Sequence, residues 1–171
     1  MLEGLIIRRY KDSDNVSCQN LWAELTEYHK EIYADPSIGG ENPGQIFNTH
    51  IEKYGEEDIW VAEVGREIVG LVGLIVKGNE AEVEPIVISK SYRKQGIGGQ
   101  LLKFIINNAR ERGTKYLSIR PVARNKEAMK IFYKLGFKII GHIELFMDLE
   151  KKEERKKRKT GIDIHDLPFQ Y

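Results

Sequence analysis

Residues 85–104, PIVISKSYRKQGIGGQLLKF, are the stretch on which the reading of this chain turns. PIVIS has the β-branched character of a strand, and Leu101, Leu102, Ile105, Ile106 and Ala109 recur behind it at helical spacing. Between strand and helix lie Arg93, Lys94, Gln95, Gly96, Ile97, Gly98 and Gly99. Glycines at the mouth of a helix leave successive backbone N–H groups unshielded, and the helix N-terminus carries partial positive charge, so the turn suits an anion such as a pyrophosphate. Two common nucleotide motifs do not fit. The third glycine of GxGxxG falls on Leu101, and the GKS or GKT ending of a Walker sequence is absent.

Working outward from the turn, IWVAEV, EIVGLVGLIV and AEVEPIVIS read as an antiparallel meander, with turns at Gly65–Arg66 and at Lys77–Glu80. Ahead of it come a strand over 5–10 and a helix carrying Leu21, Leu25, Tyr28 and Ile32, which Ser13 or Asp14 can cap. The Pro- and Gly-bearing loop Ala34–Gly44 and a shorter helix with Ile46, Phe47, His50, Ile51 and Tyr54 follow. Downstream, Gly113 can end the central helix, KYLSIRPV supplies a strand, and Ala128, Ile131, Phe132 and Leu135 mark a helix that Gly136 stops. FKIIGHIELFMDLE, residues 137–150, is expected to supply the final strands. The charged run EKKEERKKRK, 150–159, has no apolar face and reads as a solvated helix or linker; GIDIHDLPFQY regains apolar residues that could dock on the domain or on a partner subunit.

A length of 171 residues fits one domain, and 41% hydrophobic with 31% charged residues is the balance of a soluble globular protein. The net charge of +1 says little about partners. No stretch reaches the ~18 apolar residues that cross a bilayer, and the N-terminus turns charged too early for a signal peptide, so a cytoplasmic location and no membrane association are expected. Cys18 is the single cysteine, which excludes an intrachain disulfide and a thiolate metal cage. His29, His50, His142 and His165 show no ligand spacing, and no metal is expected.

The turn matches R-x-x-G-x-G as Arg93, Gly96 and Gly98. Together with WVAEVGREIVGLVGL upstream, Leu101 and Leu102 after the turn, and NKEAMKIFYKLGF downstream, it resembles the GNAT superfamily of N-acetyltransferases. The likeness covers residues 58–140 well and the first 35 loosely. It implies an α/β (α+β) domain over 1–149, a mixed, mostly antiparallel sheet of about seven strands flanked by about four helices, with 150–171 as a charged extension. It also implies acetyl-CoA as cosubstrate and an amine acceptor of unknown identity. Arg93 and the amides of Lys94, Gln95, Gly96, Ile97, Gly98 and Gly99 would hold the pyrophosphate. Val87 and Ile88, on a strand splayed from its neighbour, would touch pantetheine, and Asn125 would bond the cofactor arm or act as an ordinary helix cap. A homodimer is left open, and acids interrupting the basic C-terminal run argue against nucleic acid.

An ammonium with pKa near ~10.4 must lose a proton before it attacks a thioester, and a carboxylate is the usual acceptor. Glu82 and Glu84 lie two apart and share a face of a regular strand, although Pro85 hints at a bulge. Glu82 precedes Arg93 by eleven residues, the spacing of the base in the histone-acetylating branch; the two glutamates remain alternatives to each other and to plain solvent-facing acids. The family often places a tyrosine acid seven residues after the asparagine, where this chain has Phe132; Tyr133 stands one residue on, turned by ~100° of helix. Arg120 occupies the position of a glutamate in the ribosomal-protein acetylating branch, so that branch's mechanism does not transfer. These departures motivate an alternative, a regulatory module that binds acyl-CoA without chemistry. The first helix, with Glu27, Tyr28, Glu31 and Tyr33, would wall the acceptor site.

Overall fold

The computed structural model describes residues 4–147, 149, 161–164 and 166–170. In chain order its elements are β1 (Leu5–Arg9), α1 (Asn15–Tyr33), α2 (Ile46–Tyr54), β2 (Ile59–Val64), β3 (Glu67–Lys77), β4 (Glu80–Ile88), α3 (Ile97–Glu111), β5 (Tyr116–Ile119), α4 (Lys126–Lys134), β6 (Gly161–Ile164) and β7 (Leu167–Gln170). The sheet runs β1-β2-β3-β4-β5, antiparallel throughout except that β4 and β5 are parallel.

β3 is buried almost continuously from Val69 to Ile75, as a strand covered on both faces must be. Period-2 alternation then sorts side chains to two cores. Trp60, Ala62, Val72 and Val83 face α3, whose buried Leu101, Leu102, Ile105 and Ala109 form one stripe. Ile59, Val61, Leu71 and Val87 face the other way, toward Cys18 and Leu21 of α1 and Phe47 of α2. The meander and all four helices therefore form where their periodicity places them. Asp14 stands at the N-cap position of α1, but its carboxylate turns back to the Lys11 N–H at 2.9 Å and to Arg8 at 2.7 Å, fastening β1 to the start of the helix.

The expected final strands over 137–150 are not found. Residues 137–147 carry no strand, and Ile139 and Phe146 are 92% and 84% exposed. A strand needs a partner for its backbone groups, and this segment has no ladder among the described residues. Among the described residues the strands number seven, five in the central sheet and two, β6 and β7, in a separate antiparallel hairpin. The charged run 150–159 lies outside the described residues.

The feature that shapes the site is a bulge in the middle of the sheet. Val72 pairs with Ile86 and Leu74 with Val83, so Glu84 and Pro85 together oppose Gly73 alone. A Cβ at Gly73 would lie 2.3 Å from the Glu84 carbonyl oxygen and 2.9 Å from the Ile59 side chain, so only glycine lets the two strands pass. Gly73→Ala is expected to destabilise the fold by about 1–3 kcal/mol, a fall in melting temperature of roughly 3–10 °C followed by circular dichroism; an unchanged melting temperature would show that the bulge yields freely.

Candidate active site

Beyond the bulge, β4 loses its outer neighbour. β5 pairs with β4 only from Glu80 to Val83, whereas β4 runs on to Ile88. The edge of β4 from Glu84 onward thus faces an opening, and that opening is a cavity of about 360 Å³. Its walls are Trp22, Leu25 and His29 of α1, Glu82 to Ile86 of β4, Arg120 to Val122 after β5, and Asn125, Ala128 and Phe132 along one side of α4 and its cap. Two ties hold the α1 wall in place. Glu24 accepts from the Ser89 hydroxyl at 3.1 Å and from the Lys90 N–H at 2.6 Å, and the Arg124 guanidinium donates to the Ile32 carbonyl at 3.1 Å while lying over the Tyr33 ring.

The glycine turn lies at the end of the same strand. Lys94 and Gly96 both adopt left-handed backbone conformations, and Gly96 caps α3. The first N–H groups of a helix have no partner within it, so the amides opening α3 point outward as donors. An added Cβ would meet nothing within 4 Å at Gly96 or Gly99, and at Gly98 only the Ile88 side chain at 3.5 Å. The protein's own packing does not demand glycine at 98 and 99. The bare backbone is instead what a phosphate group needs for close approach, so these residues fit the pyrophosphate of a coenzyme. Arg93 turns inward: its Nε donates to the Ile88 carbonyl at 3.0 Å and its guanidinium covers the Tyr28 ring at 4.9 Å, bracing the turn against α1.

Among the other expected site residues, Glu82 and Glu84 both line the cavity in different states. Glu82 is 4% exposed, with Oε1 3.2 Å from Arg120 and Oε2 3.7 Å from Lys77, so each oxygen already faces a cation. Glu84 is half-buried, and its carboxylate makes no hydrogen bond or salt bridge among the described residues. Val87 is buried toward α1 and α2, while Ile88 borders the glycine turn. Asn125 lines the cavity and also caps α4, its Oδ1 accepting from the Ala128 N–H at 3.1 Å; the amide nitrogen is what it has left to offer a ligand. Tyr133 is not brought to the cavity. It is 60% exposed with Lys138 against its ring, while Phe132, 7% exposed, takes the inward position of the helix. Of the first-helix residues, Tyr28 supports Arg93 and Tyr33 supports Arg124, whereas Glu27 pairs with Lys30 on the surface.

His29 and Trp22 are cavity residues that the motifs do not mark, and Arg120, marked only as a departure from one branch's pattern, joins them. Trp22, Leu25 and His29 follow at helical spacing, so the stripe was there to be extended by one turn. Burial, and secondarily the Arg93 charge, push the His29 imidazole below its ordinary value. Cys18, by contrast, is fully buried and its thiol is pushed up to about 12, which removes it as a nucleophile.

A five-stranded mixed sheet that opens beside a glycine turn at a helix N-terminus defines an α/β protein built to hold an extended, anionic cosubstrate. The sequence profile of the acetyltransferase (GNAT) family matches residues 19–137, and the chain belongs to that family. It is 33% identical over 82 residues to a probable N-acetyltransferase, camello, of Xenopus laevis, covering 46% of this chain and 37% of that protein. An uncharacterised N-acetyltransferase of Methanocaldococcus jannaschii is 30% identical over 92 residues, 50% of this chain and 41% of that one, so the match spans well under half of each relative's length. In three dimensions a GNAT-family acetyltransferase from Staphylococcus aureus superposes with a TM-score of 0.66 at 19% identity, over 80% of this chain and 86% of the other. One from Elizabethkingia anophelis, solved with acetyl-CoA bound, gives 0.61 at 21% identity over 98% and 94%. At these identities the structural likeness is one of fold.

Arg120→Ala should lower the urea midpoint by the equivalent of about 0.5–1 kcal/mol, a modest cost because the arginine itself is 75% exposed. An unaltered midpoint would mean that Lys77 and water satisfy Glu82 unaided.

Proposed function

We propose that this protein is an acetyl-CoA-dependent N-acetyltransferase acting on a primary amine through a ternary complex. The observation that carries this reading is the separation of β4 from β5 beyond Val83, immediately beside the N-terminus of α3. In the proposed complex the amides from Lys94 to Gly99 receive the pyrophosphate, and the free edge of β4 around Val87 and Ile88 offers backbone partners to the pantetheine arm. The Asn125 amide nitrogen bonds the same arm. Backbone N–H groups of the bulged strand face the thioester carbonyl oxygen as negative charge develops there. When bound, acetyl-CoA supplies the activated acetyl group; the chain supplies position, charge and a proton acceptor.

For the acceptor, Glu84 is the carboxylate with room to act. Glu82 is answered by Arg120 and Lys77, so its role is to hold Arg120 at the rim, whereas Glu84 lines the cavity with no ion pair among the described residues, only the longer-range field of Lys53, and draws a cationic amine in. Tyr133 has no part in this arrangement, and the thiolate leaves without a side-chain acid from α4. Phe132 at the cavity favours one second reading, a module that binds acetyl-CoA without transferring it.

Isothermal titration with acetyl-CoA, followed by thiol release against lysine peptides, free N-terminal peptides and spermidine, separates the readings. Binding with release supports the transferase, binding alone supports the module, and no binding removes both. Gly99→Glu gives a test in which stability and affinity should move in opposite directions. A glutamate in the first helical turn replaces a poor helix former and complements the dipole, a gain of about 0.5–1 kcal/mol, yet its charge sits where the pyrophosphate belongs, so coenzyme A affinity should collapse. A variant that keeps wild-type affinity sinks the assignment of the turn. Glu84→Gln should raise KM for a cationic amine by roughly tenfold or more through loss of a charge-assisted hydrogen bond, while acetyl-CoA affinity stays unchanged.

A further inference from the structure

His29 has no evident role in packing. It lies one turn beyond Leu25 on the face of α1 that walls the cavity, half-buried, and its ring nitrogens make no hydrogen bond or ion pair among the described residues. Its ring contact is with the neighbouring Tyr28, at a centroid distance of 6.3 Å. His50 offers an instructive contrast: it is 6% exposed and lies between the rings of Trp22 and Tyr54, a core histidine with its surroundings filled. At His29 the imidazole instead shares an open cavity with Glu84 and with the free edge of β4.

Resting on the acetyl-transfer reading above, we propose that His29 is the catalytic base, taking the proton of the acceptor ammonium while Glu84 holds that ammonium in the cleft. Glu82 and Glu84 from β4 and Arg120 from the segment after β5 line the same cavity; the charge that acts on His29 itself is Arg93 from the turn before α3, Tyr28 is its neighbour on α1, and Lys53 of α2 lies in the field of Glu84. Glu82 is already matched by Arg120 and Lys77. Burial, and secondarily the Arg93 charge, disfavour imidazolium and so favour the form whose lone pair is available. Imidazole is ordinarily a stronger base than a side-chain carboxylate by about two pK units, a margin that the downward push on His29 narrows, and a proton acceptor works best with a pKa near the working pH. The two groups thus act in turn, the carboxylate stabilising the cation on arrival and the imidazole discharging it.

The chemistry balances without any further reactant. The imidazole lone pair takes one proton from the ammonium. The freed amine nitrogen donates its electron pair to the thioester carbonyl carbon, and the C–S bond breaks with its pair leaving on sulfur. The amine's second proton ends on the sulfur by way of solvent, and the imidazolium returns its own proton to water. Ammonium plus thioester becomes amide plus thiol plus one proton.

The experiment compares wild type with His29→Gln in the thiol-release assay, using acetyl-CoA and the lysine-peptide, N-terminal-peptide and spermidine acceptors across pH. Acetyl-CoA affinity by titration should be equal in the two proteins. With the best acceptor, kcat of the variant at neutral pH should fall by roughly 100-fold. Wild-type kcat should decline on the acid side as His29 protonates, below the ordinary imidazole range; the variant should lack that limb, climbing steadily with pH and approaching wild type in the alkaline range, where the amine is free in solution. Added imidazole should restore part of the neutral-pH rate. A deficit that is constant with pH and deaf to imidazole would make His29 a structural residue and overturn the proposal. If wild type turns over and the variant matches it at every pH, His29 alone is excluded. If wild type releases no thiol with any of the three acceptors, the transferase reading and the base fall together.

Discussion

The close passage of Gly73 beneath the Glu84 carbonyl oxygen is the contact on which the rest of the site depends. It lets two residues of β4 oppose one of β3, and the kink this produces turns β4 away from the line of β5 after Val83. From that departure follow the cavity, the free strand edge and the different fates of two glutamates only two residues apart. Glu82, still inside the paired part of the strand, is buried and locked to cations from β3 and the β5 end. Glu84, on the bulge, is released to the opening. Regular alternation would have put both on one face in equivalent surroundings; the bulge leaves one ion-paired and buried and the other half-buried at the cavity.

Fixing the opening requires walls that do not close onto it. α1 is held at its middle by Glu24 against the backbone following β4, and at its end by Arg124 from the segment before α4. Arg93, which the motif offers as a phosphate ligand, spends its Nε on the Ile88 carbonyl and its flat face on Tyr28. The arginine of the turn thus braces strand, turn and helix together, and the backbone amides of the turn are left as the donors for an anion. Within one short turn the side chain is committed to bracing and the main-chain donors are left uncommitted.

Much of the fold was legible because it rests on periodicities that local sequence carries. The β3 run from Val69 to Ile75, the Leu101–Ala109 stripe of α3 and the glycine stops at 113 and 136 each reflect a rule about a single element. The segment 137–147 departs from its pattern for a related reason: alternation announces a strand, but a strand also needs a neighbour, and that neighbour is not specified locally. Phe132 and Tyr133 illustrate the same limit on a helix. Adjacent residues carry equal claims on paper; the apolar contact of Phe132 with Phe137 and the core sets the rotation that sends Tyr133 to solvent.

The chain's own order of residues thus determines the family, the strand–turn–helix arrangement with its glycine turn and the meander beneath it, because those depend on backbone chemistry and short-range spacing. The partnership of residues far apart in sequence had to await the folded molecule: Gly73 with Glu84, Glu82 with Lys77 and Arg120, and His29 brought to the cavity that Asn125 and Phe132 close from the other side. Which carboxylate is free, which helix face turns inward and whether a histidine has spent its nitrogens are properties of surroundings assembled from several elements at once, and no local pattern encodes them.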